Sequence, residues 1–170
     1  MKASKTLTDN LQSVLADLIE LHLQGKQAHW NVVGTNFRDM HLQLDEIIAD
    51  ARIFTDQLAE RMRALHAVPD GRSATIAKTT SLSPFPQGLV DTKETVPLVV
   101  DLLEGTVKTM RDVHDQVDEE DPTTADILHG FIKKLEQYAW MVNAENMKPT
   151  SGTREPTAKK TPAQLGHHDD

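Results

Sequence analysis

Residues 29–65 read HWNVVGTNFRDMHLQLDEIIADARIFTDQLAERMRAL. From Phe37 the stripe Phe37, Met40, Leu44, Ile48, Ala51, Thr55, Leu58, Met62 and Leu65 recurs with the 3.6-residue period of a helix buried along one side. Pro69, Asp70 and Gly71 stop it. Upstream, Leu11, Val14, Leu15, Leu18, His22, Gly25, His29, Val32 and Val33 keep the same period, which predicts a first helix over residues 7–33. Only a tight turn at Gly34 separates the two, so they are expected to pack antiparallel.

Outside this pair, residues 69–93 carry Pro69, Pro84, Pro86, Gly71 and Gly88 among Ser and Thr, a crossover with room for one short helical turn at Thr75–Thr80. So long a connection lets the third helix run parallel to the second. The third stripe is Val96, Val99, Val100, Leu103, Val107, Met110, Val113 and Val117. The fourth helix opens with Asp121 as N-cap and Pro122 at its first position, continues through Leu128, Phe131, Leu135, Tyr138, Ala139 and Val142, and is expected to end at Pro149. No stretch carries a strand signal of any weight. The expected fold is all-α: a ferritin-like four-helix bundle with a long crossover between helices two and three, spanning residues 7–148. A short flexible N-terminal segment (1–6) precedes it and a disordered polar tail (149–170) follows.

Composition narrows the chemistry. The 170 residues include 38 % hydrophobic positions, enough for one core, and no apolar run long enough to span a bilayer. The first 25 residues lack the apolar block of an export signal, so a cytoplasmic protein is expected. Cysteine is absent, which excludes disulfides, thiolate metal sites and thiol nucleophiles together. Any metal must be held by His, Asp or Glu.

Five residues stand out: His29, His41, Asp45, Asp56 and Glu60. Singly, each has a plainer reading, a satisfied core histidine or a solvated charge beside an apolar stripe. Their spacing changes that. On a helix, residues 41, 45, 56 and 60 share one flank within about 100°, yet Asp45 and Asp56 lie roughly 16 Å apart along the axis. One helix therefore cannot bring all four to a single ion. The pairs 45/56 and 41/60 share the midpoint 50.5. A two-fold axis crossing there would set Asp45 opposite Asp56 of a second copy and His41 opposite Glu60. Two equivalent sites follow, each taking His41 and Asp45 from one subunit, His29 from its adjacent helix, and Asp56 and Glu60 from the other. Two imidazoles and three carboxylates suit iron, manganese or zinc and leave positions open for a second ion or an oxidant. The usual bundle-core motif, Glu-x-x-His, is missing, and Asp126-x-x-His129 is its nearest, incidental approach.

The segment His29-Trp30-Asn31-Val32-Val33-Gly34, followed by Met40-His41, Asp45, Asp56, Ala59-Glu60-Arg61 and Pro69, resembles the signature of the Dps family, the miniferritins named as DNA-binding proteins from starved cells. The likeness spans residues 7–148. It implies a dodecameric shell that oxidises Fe(II), preferring hydrogen peroxide to dioxygen, and stores the product as ferric oxyhydroxide. The five residues match the family's inter-subunit ferroxidase ligands. The likeness further implies that Trp30, beside His29, intercepts radicals. It also implies that Asp121 and Asp126, within the acidic stretch from Asp115, draw in Fe(II) by focusing cations. One departure is His66, where the family often has Gly.

DNA is a possible further partner. Residues 1–10 and 148–170 each sum to +1, which leaves −10 for the rest, so only Lys2, Lys5, Lys148, Arg154, Lys159 and Lys160 are placed to neutralise phosphate. Many copies on one particle would add avidity. Two other classes fit the same residues: a metal hydrolase whose site activates water to attack an amide or ester, and a structural nucleoid protein with an idle metal site.

Overall fold

The computed structural model describes residues 1–150, and statements below concern those residues. Helix α1 (Lys5–Asn31) is followed by a two-residue strand β1 (Val32–Val33) and helix α2 (Phe37–Ala64). The crossover carries a short helix α3 (Ser73–Thr79) and a strand β2 (Val90–Asp91) before α4 (Thr92–Glu120) and α5 (Pro122–Ala144). Helices α1, α2, α4 and α5 are the expected first to fourth. Helix α1 packs on α2 and α4, and α5 on α4 and α2, so the four close a ring around one core.

Most of the predicted stripes form that core, while Phe37 and Val33, at the stripe ends beside the α1–α2 turn, are exposed. Leu11, Val14, Leu15 and Leu18 of α1, Leu44, Ala51, Leu58 and Met62 of α2, Leu103, Met110 and Val117 of α4, and Leu128 and Leu135 of α5 are buried. Close approach of α1 and α2 needs a small residue. A Cβ on Gly25 would sit 3.1 Å from Ile48 Cγ1, so glycine lets the helices touch one turn before His29. Ser4 accepts the Leu7 N–H and starts α1 two residues earlier than the periodicity suggests. The end is anchored further. The Ala3 N–H donates to the Leu65 carbonyl, and the Ser4 N–H and hydroxyl donate to Glu120 at 2.7 and 2.6 Å.

Two features depart from the expected architecture. Val32 and Val33, expected as the end of the first helix, leave it and pair in parallel with Val90 and Asp91. This pairing joins the turn after α1 to the start of α4, which fixes α4 antiparallel to α1 and parallel to α2. The last helix ends at Ala144, ahead of Pro149, in a turn bonded through Glu145 to Met147. Pro97 lies inside α4 and removes the N–H that would bond the Lys93 carbonyl. The Asn146 side-chain amide donates to that carbonyl at 2.9 Å, so the segment after α5 closes the gap.

Asp17 organises the crossover. It is 1 % exposed and accepts four hydrogen bonds: Thr80 Oγ1 and Ser81 N on Oδ1 at 2.7 and 2.8 Å, Ser81 Oγ and Thr109 Oγ1 on Oδ2 at 2.6 and 2.7 Å. One carboxylate thereby ties α1, the strand-forming connection and α4 together.

Candidate metal centre

The turn between α1 and α2 is as tight as its sequence suggests. Gly34 has φ +109°, and a Cβ there would lie 2.7 Å from Asp91 Oδ2, so only glycine fits. This turn sets the end of α1 against the start of α2 and brings His29 face to face with His41. The imidazoles stack with centroids 3.7 Å apart and planes 23° from parallel.

Their contacts are reciprocal. His29 Nδ1 lies 3.1 Å from the His41 carbonyl oxygen, and His41 Nδ1 lies 3.0 Å from the His29 carbonyl oxygen. A carbonyl only accepts, so each Nδ1 is the donor, and in the neutral ring Nε2 is the nitrogen with the lone pair. This is the outer-sphere arrangement that orients histidines as metal ligands. Asp45 completes the group: one ligand atom from each of His29, His41 and Asp45 lies within 4.8 Å of the others, the one such group of three among the described residues.

Charge and burial are graded across the cluster. His29 is buried, and that burial lowers its pKa below 6.5, against the opposing pull of its bond to the His41 carbonyl. The fold thus favours the neutral, ligating imidazole. Asp45 is exposed at the mouth, and the hydrogen bond from the Lys26 ammonium, 3.1 Å away, lowers its pKa and keeps it ionised. Lys26 carries no mark in the sequence except its position one helical turn before His29, which puts both on one side of α1.

Asp56 and Glu60 stand elsewhere. Both are exposed on α2, more than two turns beyond Asp45 and outside the His29 group. Asp56 borders a groove of 780 Å³ whose other walls include Ile19, His22, Ala49, Ile53 and Ala59. Ile53 is 50 % exposed there, an apolar surface of the kind a second copy would cover.

The remaining expected positions separate. Trp30 is 68 % exposed, so the residue next to buried His29 in the chain faces outward. Asp121 was expected as an open, cation-attracting carboxylate and is instead 4 % exposed. It accepts from Arg61 Nη2 at 2.7 Å and from the Thr124 hydroxyl. Burial opposes its ionisation, but these bonds outweigh burial and lower its pKa. It sits at the N-cap position of α5 with its carboxylate turned to α2, so it braces the α4–α5 junction rather than presenting charge. Asp126 is exposed. Lys2 and Lys148 are exposed, Lys5 is paired with Asp9 one turn on, and Arg154, Lys159 and Lys160 lie outside the described residues. None of the described helices is long and apolar enough to cross a membrane.

Comparison with known proteins follows the same outline. The family model of the ferritin-like domain matches residues 8–148. The DNA protection during starvation protein 1 of Deinococcus radiodurans is 34 % identical over 144 residues, covering 84 % of this chain and 70 % of that protein. A Dps crystal structure from the same organism superposes with a TM-score of 0.82 at 32 % identity, over 86 % of this chain and 88 % of that one. A Dps from Microbacterium arborescens in a high-iron form gives a TM-score of 0.78 at 29 % identity, over 85 % and 97 %.

Proposed function

Because this chain belongs to the Dps family of ferritin-like proteins, we propose that it is a ferroxidase that takes Fe(II) as substrate at sites shared between two subunits and stores the ferric product in an oligomeric shell. The observation that carries this reading is the half-built centre. His29, His41 and Asp45 are pre-oriented within 4.8 Å, while the matching carboxylates Asp56 and Glu60 stand exposed on the same helix, out of reach within one chain.

In this reading, two copies of α2 cross near residue 50.5 and each supplies Asp56 and Glu60 to the other's histidines. Neutral imidazole and carboxylate suit Fe(II) as borderline ligands. Each of two Fe(II) ions gives one electron to hydrogen peroxide, which takes up two protons as its O–O bond breaks, leaving two waters. Pairing the electrons in this way avoids release of a hydroxyl radical. The chain's part is to hold both ions at one place with fixed charge, with Lys26 keeping Asp45 ionised between turnovers. Trp30, adjacent in sequence to His29, is assigned to intercept stray radicals. Of the two acids expected to draw in Fe(II), Asp126 keeps that role and Asp121 does not. DNA protection, the function in the names of the relatives, is assigned to Lys2, Lys148 and the basic residues Arg154, Lys159 and Lys160 through phosphate contacts.

Mixing two inactive variants tests the shared site. His41→Ala and Asp56→Ala, each alone, are expected to lose peroxide-dependent Fe(II) oxidation by at least tenfold. Refolded together, half of the two-fold pairs are mixed and each mixed pair holds one intact site, so about a quarter of the sites recover. No recovery on mixing, with both variants folded and assembled, would refute a site built across subunits. For the DNA assignment, a mobility shift at low salt that disappears on deleting residues 148–170 is expected, and its persistence would refute the tail's role.

A further inference from the structure

A second pair of histidines lies away from the ferroxidase cluster, on the seam between α4 and α5. His114 and His129 stack with centroids 4.6 Å apart, and their Nε2 atoms are 2.7 Å from each other. His114 Nδ1 is 3.0 Å from Asp115 Oδ1. The Asp115 carboxylate accepts the Nδ1 proton, which leaves the His114 Nε2 lone pair aimed at His129. A carboxylate behind a histidine whose far nitrogen points at a second histidine is the outer-sphere pattern of a metal ligand. Along the seam Arg111, one turn before His114, is bonded to Glu136 on α5 at 3.2 Å.

We propose that His114 and His129 form a second metal site, for a borderline divalent ion such as Cu²⁺ or Ni²⁺, that works independently of iron oxidation. At 2.7 Å, one proton is shared between the two nitrogens, and the ion takes that proton's place once His129 moves its own proton to Nδ1. Both rings stay neutral, so binding releases no net proton. Metal–nitrogen bonds are about 2.0–2.1 Å. Two such bonds at about 90° need the nitrogens roughly 3.0 Å apart, a rotation of a few tenths of an ångström, whereas a tetrahedral angle needs roughly 3.4 Å. The pair therefore favours ions with square or octahedral coordination over tetrahedral Zn²⁺, and Cu²⁺ binds most tightly in such a series. Water fills the remaining positions. His114 is about one-quarter exposed and His129 is exposed, so an ion reaches the pair from solvent.

The full chain is titrated with Cu²⁺ buffered by glycine, as wild type, His114→Gln, His129→Gln and Asp115→Asn, with folding checked by circular dichroism. Either histidine variant is expected to lose one copper equivalent per chain, with affinity at that site falling at least tenfold because a single imidazole does not chelate. Asp115→Asn is expected to weaken it several-fold. Peroxide-dependent Fe(II) oxidation stays within twofold in all three, which separates this site from the proposed ferroxidase. Stoichiometry and affinity unchanged in both histidine variants would overturn the proposal. A copper-soaked crystal of the wild type reads the same question without a variant: an anomalous peak between His114 and His129 supports the site, and copper found only elsewhere refutes it.

Discussion

Asp17→Ala is the sharpest test of how the crossover is held. The carboxylate is buried with no cation beside it and is satisfied by four donors, three hydroxyl bonds and the Ser81 amide, at 2.6–2.8 Å. Two of the hydroxyls have somewhere else to turn. Thr109 lies 3.4 Å from the Gly105 carbonyl, and the Ser81 hydroxyl lies 3.3 Å from Thr109 Oγ1. The Ser81 amide cannot change from donor to acceptor. At about 1 kcal/mol for each bond weakened or lost and more for a stranded amide, Asp17→Ala is expected to cost about 3 kcal/mol. For a chain of this size that lowers Tm by about 6–12 °C at fixed protein concentration. Asp17→Asn separates hydrogen bonding from charge. Its oxygen can keep Thr80 and Ser81 N, while its NH₂ donates to the Ser81 and Thr109 hydroxyls, which rotate to accept, so the cost is about 1 kcal/mol. Thermal unfolding of the three proteins measures both numbers, and Fe(II) oxidation at 25 °C is expected to be unchanged, since Asp17 lies roughly 18 Å along α1 from His29. An Asn variant as unstable as the Ala variant, or an Ala variant within 1 kcal/mol of wild type, would refute the reasoning.

Other consequences are as direct. Lys26→Met removes a positive charge about 5 Å from where a doubly charged ion bound by Asp45 would sit, so Fe(II) affinity measured anaerobically is expected to rise by roughly fivefold at 0.15 M salt and by more at lower salt; a fall in affinity would contradict the placement. His66, at φ +60°, is the left-handed residue that ends α2, with His66 N–H on the Arg63 carbonyl and Ala67 N–H on Met62. His66→Gly is therefore expected to stabilise the chain by about 0.5–1 kcal/mol in thermal unfolding, because glycine takes that conformation without strain. For His29, the folded pKa lies below the unfolded 6.5, so the fold binds fewer protons than the unfolded chain in that window. Its contribution to stability is complete above pH 6.5 and is lost as pH falls through the lowered folded value. The Tm of the metal-free wild type is expected to drop more steeply below pH 6.5 than that of His29→Gln, and parallel curves would argue against a buried neutral imidazole.

The departure at position 66 shows how a sequence observation acquires its physical meaning. A left-handed backbone is the conformation glycine takes without strain, and only the dihedral angle reveals that this chain puts a histidine under that constraint. Lys26 shows the opposite. A lysine one turn from a histidine is unremarkable in one dimension, and its ion pair with Asp45 arises only when α1 and α2 are brought side by side.

Periodicity, glycine and proline placement by themselves determined four long helices and the order of their packing, and spacing singled out five candidate metal ligands, because these depend on positions along one chain and on local stereochemistry. Spacing also showed that Asp45 and Asp56 lie too far apart along one helix to reach a single ion. The parallel pairing of Val32–Val33 with Val90–Asp91, the bracing of Asp121 by Arg61 and the meeting of His114 with His129 were decided by the tertiary structure. Each joins residues from different elements, and a free energy that exists only between two packed surfaces leaves no pattern on either strand of sequence alone.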